Sequence, residues 1–397
     1  MKNNLIIYFI LFSLILQSCR EPFDPETDAF ISALVVEATI TNEMKQQKIS
    51  LSETYVLEAN EPTIVNNATV WVEDELNNHY TFSQDDDGNY ISDIAFQAVP
   101  ETQYTLYITT DNGKNYQSTT TTLTPISQIN NLYAELNTED PENIGVEVLV
   151  DSYNENDAQY FRYEYEEAYK VVVPNYFHFD AEITNIEYEE GFIISYQINF
   201  VPKTQEEKTC YSMEESIGIL QASTNNLTEN NLLRFPITFL SKNNSKIRDR
   251  YSILVRQYVQ NLEAYTYYKI VNQLGGLQSL LSQNQSGYVT GNISATNNED
   301  EKVIGYFEVA TVDSKRIYFN YEDFNLQLPP WFYTCYLQTY DYNKVENPDE
   351  RYFLYTSIAN FDYHPTTIDS PVYNIVNKEC SDCTSFSSNI RPDFWED

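Results

Sequence analysis

From residue 31 onward the chain runs in short stretches where apolar and polar residues alternate, each closed by turn-forming residues. The first is ISALVVEATIT (31–41), followed by QKISLSETYVL (47–57), NATVWVEDE (67–75) and HYTFSQ (79–84). GNYISD (88–93), QYTLYITT (103–110) and NYQSTTTTL (115–123) complete the series. A period of two sends successive side chains to opposite faces, so each stretch predicts a half-buried strand. Asp87-Gly88 and Asn112-Gly113 supply residues that take positive φ readily, as tight hairpins require. Short strands at this spacing, with no helical period between them, predict an immunoglobulin-like β-sandwich over residues 28–124. LTPISQI, with Pro125, reads as the exit from it.

Residues 125–397 read as a larger β-rich domain. GVEVLVDSY (145–153), QYFRYEYEEAYKVVV (159–173) and EGFIISYQINF (190–200) are strand candidates. RYSILVRQYVQ (250–260), KVIGYFEVATV (302–312) and KRIYFNY (315–321) are others. One prominent helix is predicted over 262–274, with Asn261 as N-cap and Gly275-Gly276 as its end. Ala264, Tyr267, Tyr268, Val271 and Leu274 share one face, which is expected to pack on a sheet. The fold class is therefore mainly β. Its 34 Tyr and 21 Phe against 10 Gly agree with that, since aromatic residues suit pleated, half-buried surfaces.

The beginning of the chain has a different pattern. Lys2 precedes a nearly unbroken apolar run from Leu5 to Leu16, shorter than the ~20 residues of a membrane-spanning helix. Its length suits a signal peptide, expected over residues 1–18. Leu16-Gln17-Ser18-Cys19 resembles a bacterial lipobox, which makes Cys19 the expected site of lipidation. Residues 19–27 then form an acidic tether broken by Pro22 and Pro25, unable to bury apolar surface. The acidic residues after Cys19, Glu21 and Asp24 among them, resemble the export signals that carry some Bacteroidota lipoproteins to the outer face of the outer membrane, and imply surface display.

With 59 acidic and 23 basic side chains, the formal net charge is −36. Such a surface repels phosphate backbones, so no nucleic-acid partner is expected.

The chemistry-bearing residues are sparse. With Cys19 assigned to lipid, Cys210, Cys335, Cys380 and Cys383 form an even set in an exported chain, which predicts disulfides. Two long-range bridges and a Cys380–Cys383 loop are both compatible with the spacing. A zinc site would need a second ligand pair, and a redox CxxC would open a helix after a strand. No metal site and no cofactor are expected. His79, His178 and His364 stand in unrelated contexts, without a nucleophile elbow, zinc motif or phosphate loop nearby. Two acidic groupings stand out, Glu164 with Glu166 and Glu167, and Asp85-Asp86-Asp87. Their expected role is a solvated strand face and a hairpin tip, with Ca²⁺ ligation as the alternative. The basic island Lys246-Ile247-Arg248-Asp249-Arg250, with Arg256, is expected to make structural ion pairs; anion binding is the alternative.

Several stretches together resemble one family. They include LVVEATITNE, KISLSETYVL, NNATVWVEDE, FRYEYEEAYKV and the block from Tyr251 to Phe319, with CSDCTSFSSNIRPDFW closing the chain. The resemblance is to Bacteroidota outer-membrane lipoproteins known only as a domain of unknown function, whose genes commonly lie beside TonB-dependent receptors. It implies a lipid-anchored, surface-exposed, non-enzymatic protein serving a TonB-dependent receptor barrel as accessory or substrate-capture partner, with an unnamed nutrient ligand. It carries no catalytic residues over. Two other readings stand beside it: a structural or adhesive surface protein using the sandwich as a spacer, and a surface hydrolase using a carboxylate pair.

Overall fold

The computed structural model describes residues 33–54, 62–153, 157–227, 229–273, 289–298, 300–345, 349–360 and 363–397. The expected signal peptide, Cys19, the tether and Leu274 lie outside the described residues.

The alternating N-terminal stretches do form strands, and they are mainly antiparallel. Leu34–Thr41 and Lys48–Glu53 pair, Thr69–Asp74 lies between His79–Gln84 and Gln103–Thr109, and Asn115–Ser118 adds to the latter. Tyr90–Ser92 bonds to His79–Gln84 on one side and to Lys48–Glu53 on the other, joining the two sets of strands into one eleven-stranded sheet. Its inner face buries Ile40, Ile49, Leu51, Val70, Val72, Tyr104, Leu106 and Ile108 in one core. Each fully buried aliphatic side chain of this kind contributes roughly 1.5–3 kcal/mol.

Two strands of this sheet come from far along the chain. Ile293–Ala295 pairs with Asn115–Ser118, and Val303–Ala310 lies parallel to Leu34–Thr41 over its whole length. The N-terminal run of this sheet ends with Thr121–Thr122, and Ile293–Ala295 and Val303–Ala310 complete the sheet. Every residue of Val303–Ala310 is buried, as befits a strand covered on both faces. Val303, Phe307 and Val309 enter the first core. Tyr306, Glu308 and Ala310 face the other way, toward the helix and the second half of the molecule. The close approach of this strand needs glycine. Gly305 has φ +150°, and a Cβ there would lie 2.3 Å from the Val36 carbonyl oxygen.

The second unit packs three strands, Asn131–Asn137, Gly145–Tyr153 and Asn231–Ser241, over a five-stranded sheet centred on Tyr160–Val172 and Arg250–Gln260. Val146, Val148 and Val150 meet Phe161, Tyr163, Val171, Tyr251, Ile253 and Val255 between the layers. The buried Gln257 carboxamide is satisfied there, accepting from Tyr163 at 2.8 Å and from Ser152, and donating to the Ser127 hydroxyl at 3.1 Å. Only Thr311 separates Val303–Ala310 from Val312–Phe319, the edge strand of the second unit. At that crossing the Thr311 N–H donates to the Thr124 hydroxyl at 2.9 Å, and Thr124 donates to the Val259 carbonyl at 2.9 Å.

The helix forms as Leu262–Gln273, with the Asn261 side chain accepting from the Ala264 N–H at 2.7 Å and Ala264, Tyr267 and Val271 buried. A second helix, Glu350–Ala359, was not legible in the sequence. It is capped by Asp349 and buries Leu354 and Ile358 against a long hairpin, Phe179–Glu189 with Phe192–Pro202, and a small sheet of Leu337–Asp341, Tyr363–Pro365 and Val372–Asn377. The tail returns to the second unit, where Trp395 is buried 5.0 Å from Tyr211 and 6.0 Å from Tyr318.

Candidate functional site

The four cysteines form two long-range bridges. Cys210 is bonded to Cys383 and Cys335 to Cys380. The two halves of Cys380-Ser381-Asp382-Cys383 therefore reach different partners, which staples the tail to the strand Thr209–Glu215 and to the segment before Leu337–Asp341. Both sulfurs of the CxxC are engaged, so the motif here is structural.

The charged groups singled out in the sequence largely answer one another. Strand alternation puts Arg162, Glu164 and Glu166 on one face of Tyr160–Val172, with Tyr163 in the core on the other. Glu164 meets Arg162, Glu166 accepts from Arg316 at 2.6 Å, and Glu167 binds Lys246 at 2.7 Å and Tyr251 at 2.6 Å. Lys246 also reaches Glu214 at 2.8 Å. Arg248 bonds the Pro329 carbonyl, Arg250 the Glu396 carbonyl at 2.7 Å, and Arg256 lies 3.4 Å from Glu43. Asp85 caps its own hairpin, accepting from the N–H groups of Asp87 and Asn89. Among the described residues no cluster of three or more His, Cys, Asp or Glu is placed to hold a metal ion.

The three histidines stay apart in role. His79 is exposed and 3.7 Å from Glu73, and His178 packs edge-on to Tyr176. His364 borders a cavity of about 290 Å³ with Asp180, Glu182, Glu207, Lys378 and Asp382. Most of that charge is already paired: buried Lys203 lies 3.5 Å from Asp180 and contacts Glu207, and Lys378 lies 3.7 Å from Asp382. The His364 Nδ1 is buried without a hydrogen-bond partner. Burial, and then the Lys203 charge, push its pKa down to about 4, so the imidazole is neutral at pH 7.

A second cleft, of about 350 Å³, opens where the first sheet meets the helix. Thr119–Thr122 and Gln103 line one wall, and Asn261, Glu263 and Tyr306 the other. Volumes of this order are those of small-molecule sites, and such sites favour junctions between folded units. In the sequence the threonine run belongs to an expected strand and Asn261 to an expected helix cap; only the fold brings them together.

Large aromatic side chains also remain in solvent on the hairpin and the second helix. Phe192 is 75% and Tyr188 60% exposed, and Tyr352 and Phe353 are nearly half exposed. Tyr188 touches Tyr355 of the helix, on which Tyr352 and Phe353 stand 6.2 Å apart between ring centres.

A family model matches residues 20–316, a span that takes in both β units and the strand joining them. The match stops within Val312–Phe319, so His364, Cys335, Cys380 and Cys383 lie beyond it. No curated protein matches the chain. Because the matched span covers well over half of the chain, this protein belongs to the family described as Domain of unknown function (DUF4249).

Proposed function

We propose that this protein is a non-enzymatic lipoprotein of the outer membrane, anchored through Cys19, that serves a TonB-dependent transporter as an accessory or substrate-capture partner. The observation that carries the reading is the set of solvent-exposed aromatic side chains, Tyr188, Phe192, Tyr352 and Phe353, on a chain otherwise coated with carboxylates. Exposed apolar groups that cluster mark contact surfaces, and aromatic residues dominate the energetics of protein interfaces. The lipobox-like Leu16–Cys19 and the two disulfides support export to an oxidising compartment. The resemblance of the chain to lipoproteins encoded beside TonB-dependent receptors supports the choice of partner.

The test is co-purification of the intact lipidated protein from outer membranes in mild detergents. A large β-barrel protein recovered with it, and a diacylglyceryl group found on Cys19 by mass spectrometry, are the expected results. Recovery of no barrel in any detergent, or an unmodified Cys19 in the mature chain, overturns the reading.

A further inference from the structure

We infer that the cleft between Thr119–Thr122 and the start of the helix Leu262–Gln273 is a binding site for a neutral polyhydroxylated ligand, a short carbohydrate. Gln103, Thr119, Thr120, Thr122 and Glu263 all border this cleft. None of their exposed side chains makes a hydrogen bond or ion pair among the described residues. Their capacity is left for something that enters. The wall that carries them is held firmly. Thr121 and Thr122 pair with Tyr104 and Gln103, the Thr119 N–H donates to the Asn292 carbonyl at 2.8 Å, and Thr124 is locked to Val259 and Thr311. Across the gap, Asn261 is held by its capping bond and Tyr306 by contact with Tyr267.

The groups present select the ligand by what they lack. Glu263 is an unpaired carboxylate on a chain of net charge −36, which disfavours an anion. One carboxylate does not make a site for a hard cation, which takes six to eight oxygen ligands. An apolar ligand would bury the threonine hydroxyls and the Gln103 amide unpaired, at a cost. A sugar ring offers hydroxyls that both donate and accept, matching Thr and Gln side chains that do the same. A carboxylate that only accepts is suited to two neighbouring hydroxyl donors. Thr120 and Thr122 are both exposed residues of this wall, two positions apart.

This inference names the substrate class within the reading proposed above, but the binding it asserts is measured without any transporter. The full-length lipidated protein, in a detergent whose headgroup is not a sugar, is titrated calorimetrically with maltotriose, cellotriose, xylotriose and mannotriose. Glucose-6-phosphate, CaCl₂ and a neutral dipeptide are titrated alongside. Saturable binding of at least one neutral trisaccharide is expected, weakened about tenfold or more by Glu263→Gln and by the pair Thr120→Val with Thr122→Val. Because these positions are exposed, unchanged melting temperatures will show that the variants are folded. The inference is overturned if no neutral sugar binds, if binding ignores both variants, or if only the phosphate, calcium or peptide probe binds. Co-purification of a barrel is scored on the same preparations, so loss of sugar binding with the barrel retained refutes the cleft alone.

Discussion

The Arg162 guanidinium and the Glu308 carboxylate lie 2.8 Å apart, both buried, and they join the central strand of the second unit to the strand that completes the first. Burial alone would lower the Arg162 pKa, but Glu308 and Glu164 reverse that and hold it charged, well above its ordinary value. The Tyr258 and Tyr268 rings cover the cation, with the former centred 4.4 Å away. Glu308 has further donors in Gln260 at 3.0 Å and Thr39 at 3.4 Å.

Neutralising one partner leaves the other charge buried without compensation. Glu308→Gln should therefore lower unfolding free energy by about 3–5 kcal/mol, measured by urea denaturation. The double variant Arg162→Met with Glu308→Leu should lose much less, because it removes both charges. Equal losses in the two would show that the pair is not what couples the units.

Gly305→Ala tests the parallel closure of the first sheet. The added methyl would meet the Val36 backbone, and φ +150° is a conformation that L-residues rarely adopt. A loss of several kcal/mol, on the order of the largest single-substitution effects, is expected in thermal or chemical unfolding. A variant as stable as the parent would mean that Val303–Ala310 does not lie against Leu34–Thr41 as described.

Peptide mapping without reduction should link Cys210 to Cys383 and Cys335 to Cys380. Cys210→Ser should cost about 2–5 kcal/mol, since its sulfur sits in the main core of the second unit. A peptide joining Cys380 to Cys383 would contradict the fold of the tail.

His364 gives the molecule an acid-sensitive point. Its folded pKa, about 4, lies below the ordinary 6.5, so the unfolded chain binds a proton that the folded chain does not. Stability tied to this group is complete above pH 6.5 and is lost as the pH falls from 6.5 toward 4. The drop in melting temperature over that window should be smaller in His364→Asn than in the parent. Parallel curves would place the acid sensitivity elsewhere.

Phe192→Ser with Tyr352→Ser removes exposed aromatic surface. Stability should change by no more than about 0.5 kcal/mol per site, as for other exposed substitutions. Recovery of the barrel partner should fall severalfold in quantitative mass spectrometry of the purified complex. Undiminished recovery would move the contact to another surface.

The strand stretches were legible because alternation is a local property: HYTFSQ, GVEVLVDSY and RYSILVRQYVQ coincide with observed strands. The helix after Asn261 was equally plain, with its cap and its buried stripe. Strands such as Phe179–Glu189 and Asn231–Ser241 were not. They are partly exposed on both faces, so no clean alternation marks them. The helix Glu350–Ala359 was hidden by its own composition, ERYFLYTSIA, whose aromatic and β-branched residues favour strands until a tertiary core selects one helical face.

The sequence by itself determined that the chain is mainly β, acidic and supplied with an even set of four cysteines after Cys19. These follow from residue type and local period. Only the tertiary structure decided that Val303–Ala310 completes the N-terminal sheet, that Cys380 and Cys383 part company, and that Thr119–Thr122 faces Glu263 across a cleft. Those outcomes depend on contacts between residues tens to hundreds of positions apart. They are set by which buried faces fit, as where Glu308 meets Arg162, and no local pattern records that fit.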